Sequence, residues 1–235
     1  MNKLNNAHLK MLINNKLIIW ILKEKKSVIL YLEKTITLNH HKNHNSSMSE
    51  ELKLYQQLVN EKAKAKSPDI LPNAGHQHAA IAMSKLFDNT EHIAKMVLGS
   101  FSGKISDQAN YIHSLEKCID KNVSFEIIFL ETPNENSLAY QLLKQKKGNG
   151  HNIVFKNASA DFKSFLTRDG KPKHFAVFDD DKFRFEKDTE EYLALFSFND
   201  KDNSKYLSTI FDQEFKKNWS LFFDPCPFFI TFLTS

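Results

Sequence analysis

The stretch Lys173-His-Phe-Ala-Val-Phe-Asp-Asp-Asp-Lys-Phe-Arg-Phe-Glu186 decides the fold of this chain. Two segments rich in strand-forming residues flank three consecutive aspartates. This arrangement predicts two antiparallel strands, residues 173–178 and 182–186, joined by a three-residue loop over 179–181. Because successive residues of a strand point to opposite faces of a sheet, the loop also predicts which side chains share a face.

The predicted register separates a polar face of the hairpin from an apolar one. On the polar face, Ala176 lies across from Arg184, and His174 lies across from Glu186. The other face carries four apolar side chains, Phe175, Val177, Phe183 and Phe185. A slip by one residue would mix the two sets, so the hydrophobic pattern specifies the register.

Strand and helix patterns alternate on both sides of the hairpin. Further strands are predicted over 93–101, 123–130, 153–155 and 193–198. Helices are predicted over 50–66, 75–87, 107–120, 136–147, 159–166 and 204–219. Alternating strands and helices, followed by a hairpin and a final helix, predict an α/β fold with a mixed β-sheet flanked by helices.

The composition supports a globular protein. The chain has 235 residues, of which 41% are hydrophobic and 26% charged, with only six glycines and six prolines. These values exclude collagen-like, Pro/Gly-rich and coiled-coil classes. Two cysteines, Cys118 and Cys226, are too few for a disulfide framework, so a reducing, cytoplasmic location is expected.

The net charge of +4 comes entirely from residues 1–47, which contain eight lysines and two glutamates. The remaining chain has 24 basic and 26 acidic residues, so it carries no charge signal for nucleic acid. The longest apolar run of this leader has six residues, whereas a membrane span needs about 20, so no transmembrane segment is expected. Two interpretations remain open: an extension upstream of a protein that begins at Met48, or a helix at a membrane surface.

The predicted organisation has four parts. Residues 1–47 form a poorly structured or helical leader outside the native domain, and residues 48–88 form N-terminal helices. Residues 89–220 form the α/β domain, and residues 221–235 form an apolar tail.

The region around the hairpin resembles the C-terminal part of a phospholipase-D-like half-domain. The motif of that superfamily is His-x-Lys-x(4)-Asp, followed by Gly-Ser-x-Asn on the next strand. His174 and Asp181 stand at the histidine and aspartate positions, and Ser197 and Asn199 match the Ser-x-Asn part. The motif is degenerate, since Ala176 occupies the lysine position and a phenylalanine precedes Ser197. The resemblance covers roughly residues 70–220.

The resemblance implies a phosphodiesterase or nuclease-like enzyme that acts through a phosphohistidine on His174. It further implies an orienting role for Asp181 and a homodimer, which brings two histidines together as nucleophile and general acid. From the register, Glu186 beside His174 is expected to fix the imidazole tautomer. The catalytic candidates are therefore His174, Asp181 and Glu186, and no cofactor or metal is expected.

Arg184, Ser197 and Asn199 are the candidates for substrate binding. Arg184 lies across from the small Ala176, where a guanidinium is expected to bind phosphate bidentately in place of the missing lysine. The alternative function is a catalytically inactive phospholipase-D-like binding module that recognises a phosphate-bearing ligand or a protein partner. A third interpretation makes the histidine, arginine and glutamate an exposed polar face with a structural role only.

Overall fold

The computed structural model describes residues 49–101, 103–168 and 170–216. The predicted leader over 1–47 and the apolar tail over 221–235 lie outside the described residues, as does the end of the helix predicted to reach residue 219. Each helix in the described ranges is too short or too polar to cross a lipid bilayer.

A seven-stranded mixed sheet forms the centre of the fold. The helices are α1 (Glu50–Lys64), α2 (Gly75–Asp88), α3 (Ala109–Asp120), α4 (Leu138–Gly148), α5 (Ala160–Leu166) and α6 (Lys201–Phe215). The sheet strands are β1 (Leu71–Asn73), β2 (Ile93–Leu98), β3 (Ser124–Phe129), β4 (Ile153–Asn157), β7 (Phe175–Phe178), β8 (Lys182–Asp188) and β9 (Leu193–Ser197). Two short strands, β5 (Thr167–Arg168) and β6 (Lys171–Pro172), pair with each other outside this sheet. The prediction of a mixed sheet flanked by helices is confirmed.

The strand order is β1-β9-β8-β7-β2-β3-β4. Strands β2, β3 and β4 are parallel, and helices α3 and α4 form the crossovers that parallel pairing requires. The other sheet strands pair antiparallel, with β7 joined to β2 in the middle of the sheet. The carboxyl end of β2 therefore lies beside the amino end of β7.

The hairpin has the predicted register. Phe178 pairs with Lys182 and Ala176 with Arg184, and the backbone N–H of Glu186 donates to the carbonyl of His174 at 2.9 Å. The apolar face packs in one core cluster against α5 and α6, with members that include Phe175, Val177, Phe183 and Phe185. The other face is covered by α2, so both sides of the hairpin are buried.

Asp179, the first of the three loop aspartates, connects the hairpin loop to the neighbouring strand. The Asp179 carboxylate accepts hydrogen bonds from the backbone N–H groups of Glu91, His92 and Ile93 at 2.8, 2.8 and 3.0 Å. These bonds tie the hairpin loop to the start of β2. They outweigh the effect of burial, which alone would raise the pKa of Asp179, and the net result is a lowered pKa.

The strands β1 and β2, which carry residues near the hairpin, differ from the sequence-based expectation. The strand predicted over 93–101 ends at Leu98, because the chain turns at Gly99 and Phe101 has a positive φ of 59°. Strand β1 was not predicted, since a proline lies in its three residues and it pairs only with β9 at the edge of the sheet.

Candidate functional site

The polar face of the hairpin holds a buried cluster of hydrogen-bonded side chains. His174 Nδ1 lies 2.8 Å from Glu186 Oε2, and an Arg184 terminal nitrogen lies 3.1 Å from Glu186 Oε1. The hairpin register produces this contact, because Glu186 and His174 are cross-strand neighbours and Arg184 precedes Glu186 by two on the same face. One carboxylate thus joins the imidazole to the guanidinium.

A residue from the edge strand completes the hydrogen bonding of Arg184. Its Nε donates to Asn73 Oδ1 at 3.2 Å, and Asn73 Nδ2 in turn donates to the carbonyl of Tyr192 at 2.7 Å. Asn73 reaches the site because β1 pairs with β9, which pairs with β8. The Arg184 guanidinium is therefore held by two partners from within the chain.

Burial corrects one interpretation of the hairpin. One interpretation of the sequence makes this an exposed polar face, but the side chains of Arg184 and Glu186 are only 8% and 6% exposed. His174 is more accessible, with a 19% exposed side chain. An ion pair so deeply buried needs its full set of hydrogen bonds, so this cluster is unlike a solvated surface pair.

The charge state of Glu186 depends on its two partners. Burial acts to raise the pKa of Glu186, but the positive charge of Arg184 and the hydrogen bond from His174 outweigh it and leave the pKa below its usual value. Glu186 is therefore ionised at neutral pH and acts as an acceptor for both neighbours.

We expect the stability contributed by Glu186 to be lost in acid. Its folded pKa is lower than its unfolded pKa of about 4.3, so in that range the unfolded chain binds more protons and stability rises with pH. The contribution is complete above the unfolded pKa and disappears as the pH falls through the folded pKa. Urea unfolding between about pH 7 and pH 3 should show a steeper loss for the wild type than for Glu186→Gln. Equal slopes would contradict this assignment.

The second nitrogen of His174 has no hydrogen-bond partner among the described residues. His174 Nε2 is buried, and a Cβ added at Gly99 would lie 3.2 Å from it. Glu131 Oε2 lies 3.7 Å from the same added position. Gly99, which follows β2, therefore leaves room for the imidazole of His174 near the carboxylate of Glu131.

Replacement of Gly99 by alanine should displace the His174 ring. The new Cβ would lie 3.1 Å from His174 Cε1, so the ring must move by a few tenths of an ångström away from its position on Glu186. We expect a changed imidazole nitrogen shift in the NMR spectrum and a stability loss of about 1 kcal/mol.

Gly148→Ala is the matched control for this substitution, since nothing lies within 4 Å of a Cβ added at Gly148. We expect the His174 resonances to be unchanged in that variant. Unchanged resonances in Gly99→Ala as well would contradict the close contact between Gly99 and the ring.

A pocket of about 530 Å³ opens over this cluster. Its polar and charged lining includes Lys104, Tyr111, Glu131, His174, Arg184 and Glu186. The volume lies within the usual range for small-molecule sites, about 300–1,000 Å³. Within the described ranges there is no group of three His, Cys, Asp or Glu side chains placed to hold a metal ion.

Three of the six predicted site residues come together, and three do not. His174, Arg184 and Glu186 line the pocket. Asp181 follows β7 whereas His174 precedes it, and the four strand residues between them span about 13 Å. The Asp181 carboxylate instead pairs with the Lys182 ammonium at 2.5 Å.

Ser197 and Asn199 lie away from the pocket. Ser197 pairs with Phe183, which faces α6 and the apolar core, whereas Arg184 pairs with Phe196 on the opposite face. The Ser197 hydroxyl lies 3.5 Å from the carbonyl of Ser67, and the backbone N–H of Asn199 donates to that hydroxyl at 3.4 Å. Ser197 and Asn199 therefore contribute hydrogen bonds at the end of β9 and do not line the pocket.

Five residues of the site that come from other elements were not predicted from the sequence. Gly99, Lys104, Tyr111 and Glu131 line the pocket, and Asn73 accepts a hydrogen bond from Arg184. A signal existed for Lys104 and Glu131, because each follows a predicted strand, where parallel strands place loops at one sheet edge. Gly99 lies inside a predicted strand, where a glycine often marks a close approach of another group. Tyr111 carried no such signal, since it fits the apolar stripe of α3.

No protein-family model matches the chain, and a search of curated proteins found no match. Among solved structures, Nuc from Salmonella typhimurium, a phospholipase D family member, is similar with 10% identity and a TM-score of 0.45, over 63% of this chain and 95% of that one. NucT from Helicobacter pylori shares 11% identity with a TM-score of 0.43, over 63% of this chain and 97% of that one. The archaeal chromatin protein TrmBL2 shares 13% identity with a TM-score of 0.42, over 88% of this chain and 68% of that one.

Proposed function

We propose that this chain is a phospholipase-D-like protein whose pocket binds a phosphodiester and cleaves it with His174 as the nucleophile. One observation carries the proposal: His174 Nδ1 is held by Glu186 at 2.8 Å, while Nε2 has no partner among the described residues. A carboxylate on Nδ1 fixes the tautomer in which Nε2 carries the free lone pair. The match of His174 to the motif histidine supports the same role.

The proposed reaction has two steps. In the first, the lone pair of His174 Nε2 forms an N–P bond as the P–O bond to the leaving group breaks. In the second, water attacks the phosphorus, the N–P bond breaks, and the water proton is released. Glu186 stabilises the positive charge that the imidazole carries in between.

The leaving oxygen needs a proton as it departs. In the homodimer that the motif resemblance implies, the His174 of a second copy supplies it. Sedimentation of the purified chain tests this part: a dimer is expected, and a strictly monomeric protein with full activity would exclude a second His174 as the acid.

The nucleophile is tested by trapping. The chain is incubated with bis(p-nitrophenyl) phosphate, nitrophenolate release is followed, and the protein is quenched at alkaline pH, where phosphohistidine survives. We expect mass spectrometry to find a nitrophenyl-phosphoryl adduct on the peptide that contains His174, and none in His174→Asn. Hydrolysis at an equal rate in His174→Asn would overturn the proposal.

A second candidate is a binding module without turnover. Two observations favour it: Ala176 stands at the motif lysine position, and the Arg184 guanidinium is already bound by Glu186 and Asn73. Under this alternative the same assay shows no nitrophenolate release, while the pocket still binds a phosphate-bearing ligand.

A further inference from the structure

We propose that Lys104 and Tyr111 bind the phosphate group of the ligand in this pocket. The inference deepens the proposed function by assigning the binding groups, and it holds for a ligand that is bound with or without cleavage. Lys104 lies in the connection between β2 and α3, and Tyr111 lies in the first turn of α3.

Tyr111 is a largely buried residue that lines the pocket. The residue is only 3% exposed, its ring packs edge-on against Phe87 at 5.2 Å, and it lines the pocket. Within the part of the chain that the structure describes, its hydroxyl makes no hydrogen bond. A phenol can donate a hydrogen bond, so this hydroxyl is available to a ligand in the pocket.

Lys104 brings the charge that an anion requires. Its ammonium lies 5.8 Å from the ring centre of Tyr192, and both residues line the pocket. Among the described residues no carboxylate pairs with it. A cation over an aromatic ring, with no counter-ion, is placed to receive a negative ligand.

Two other charged groups of the pocket lining, Arg184 and Glu190, are already paired. Arg184 is bound to Glu186, and Glu190 accepts from Lys171 at 2.8 Å. Among the described residues, this leaves Lys104 as a cation of the lining without a carboxylate partner, and Glu131 as a carboxylate without a cation partner. A phosphate is therefore expected to lie nearer Lys104 and away from Glu131.

The chemistry of these groups selects a phosphate ester. An ammonium and a phenol both donate hydrogen bonds, and a phosphate has several acceptor oxygens and at least one negative charge. His174 lines the same pocket as these two donors. Ala176, which also lines the pocket, has too small a side chain to occupy this space.

The experiment is a titration of the full chain with inorganic phosphate, followed by ³¹P NMR. We expect Lys104→Met to weaken binding about ten-fold, since a charge-assisted hydrogen bond is lost, and Tyr111→Phe to weaken it about five-fold. Lys205→Met is the control for loss of one positive charge, because Lys205 is exposed on α6. That variant should bind within two-fold of the wild type.

The outcomes separate this inference from the proposed function. Wild-type affinity in Lys104→Met or in Tyr111→Phe overturns the inference, as does a wild-type chain that does not bind phosphate. If both variants bind weakly but His174→Asn keeps its hydrolysis rate, the inference stands and the nucleophile assignment fails.

Two small diesters identify the source of the phosphate. A dinucleotide and a short-chain glycerophosphodiester are titrated in the same way. The diester with the higher affinity identifies the ligand class. Both should lose affinity in Lys104→Met, since the shared phosphate makes the contact. Loss for neither of them would overturn the inference.

Discussion

Replacing Glu186 by alanine is expected to destabilise the protein by about 3–5 kcal/mol, because it leaves the Arg184 guanidinium buried without its counter-ion. The side chain of Arg184 is 8% exposed, so its charge is poorly solvated once the carboxylate is removed. Asn73 would remain as its sole hydrogen-bond acceptor among the described residues. Since domains are stable by about 5–15 kcal/mol, this loss should be evident in urea unfolding.

Two further variants identify the cause of that loss. Glu186→Gln keeps one oxygen acceptor and the shape of the side chain, so it should be less destabilising than Glu186→Ala. The double variant Arg184→Met/Glu186→Leu removes both charges and fills the space, and it should recover most of the stability. If Glu186→Ala lost less than about 1 kcal/mol, the pair would behave as a surface ion pair and the buried cluster would be wrong.

The second large effect is expected at Asp179. Its carboxylate accepts from three successive backbone N–H groups at the start of β2, and Asp179→Ala removes all three bonds. Glu91 and His92 are exposed, so water can replace their bonds, whereas Ile93 is half-buried. Asp179 also has a positive φ of 52°, which alanine tolerates poorly. We expect a loss of about 2–4 kcal/mol in the free energy of unfolding.

Asp179→Gly separates the two contributions. Glycine accepts the positive φ without strain but has no carboxylate, so it loses the three hydrogen bonds and the ion pair with Lys182 at 3.2 Å. Asp180→Ala serves as the positional control, because Asp180 also has a positive φ, 59°, and its side chain accepts only from Ser208 at 3.1 Å among the described residues. A loss in Asp180→Ala equal to that in Asp179→Ala would contradict the special role of Asp179.

The local sequence pattern determined which segments form helices and strands, and it determined the register of the hairpin. The two-residue period of strands, applied to Phe175, Val177, Phe183 and Phe185, placed these side chains on one face and His174, Arg184 and Glu186 on the other. A three-residue loop then left a single register compatible with both sets. The contact of His174 and Arg184 with one carboxylate follows from that register, and so it could be predicted from neighbouring residues.

The pairing between strands that are not joined by a tight turn was not predictable in this way. The motif resemblance placed Ser197 with His174, but β9 pairs with β8 past a register shift between Glu186 and Asp188. That irregularity sets Ser197 across from Phe183 and turns it toward α6. A single-residue difference reverses the face of a strand residue, and nothing in the local sequence marks the shift.

The tertiary structure also decided which polar groups share the pocket. Two pocket residues, Gly99 and Tyr111, lie far from the hairpin in sequence and reach it through the end of β2 and a crossover helix. Asn73, which accepts from Arg184, comes from the edge strand. Similarly, the triple aspartate predicted a loop, but only the packing against β2 selected Asp179 as its anchor. The sequence by itself therefore determined the periodic elements and the hairpin, because their patterns are local. The composition of the site depended on contacts between distant segments, which only the assembled fold brings within hydrogen-bonding distance.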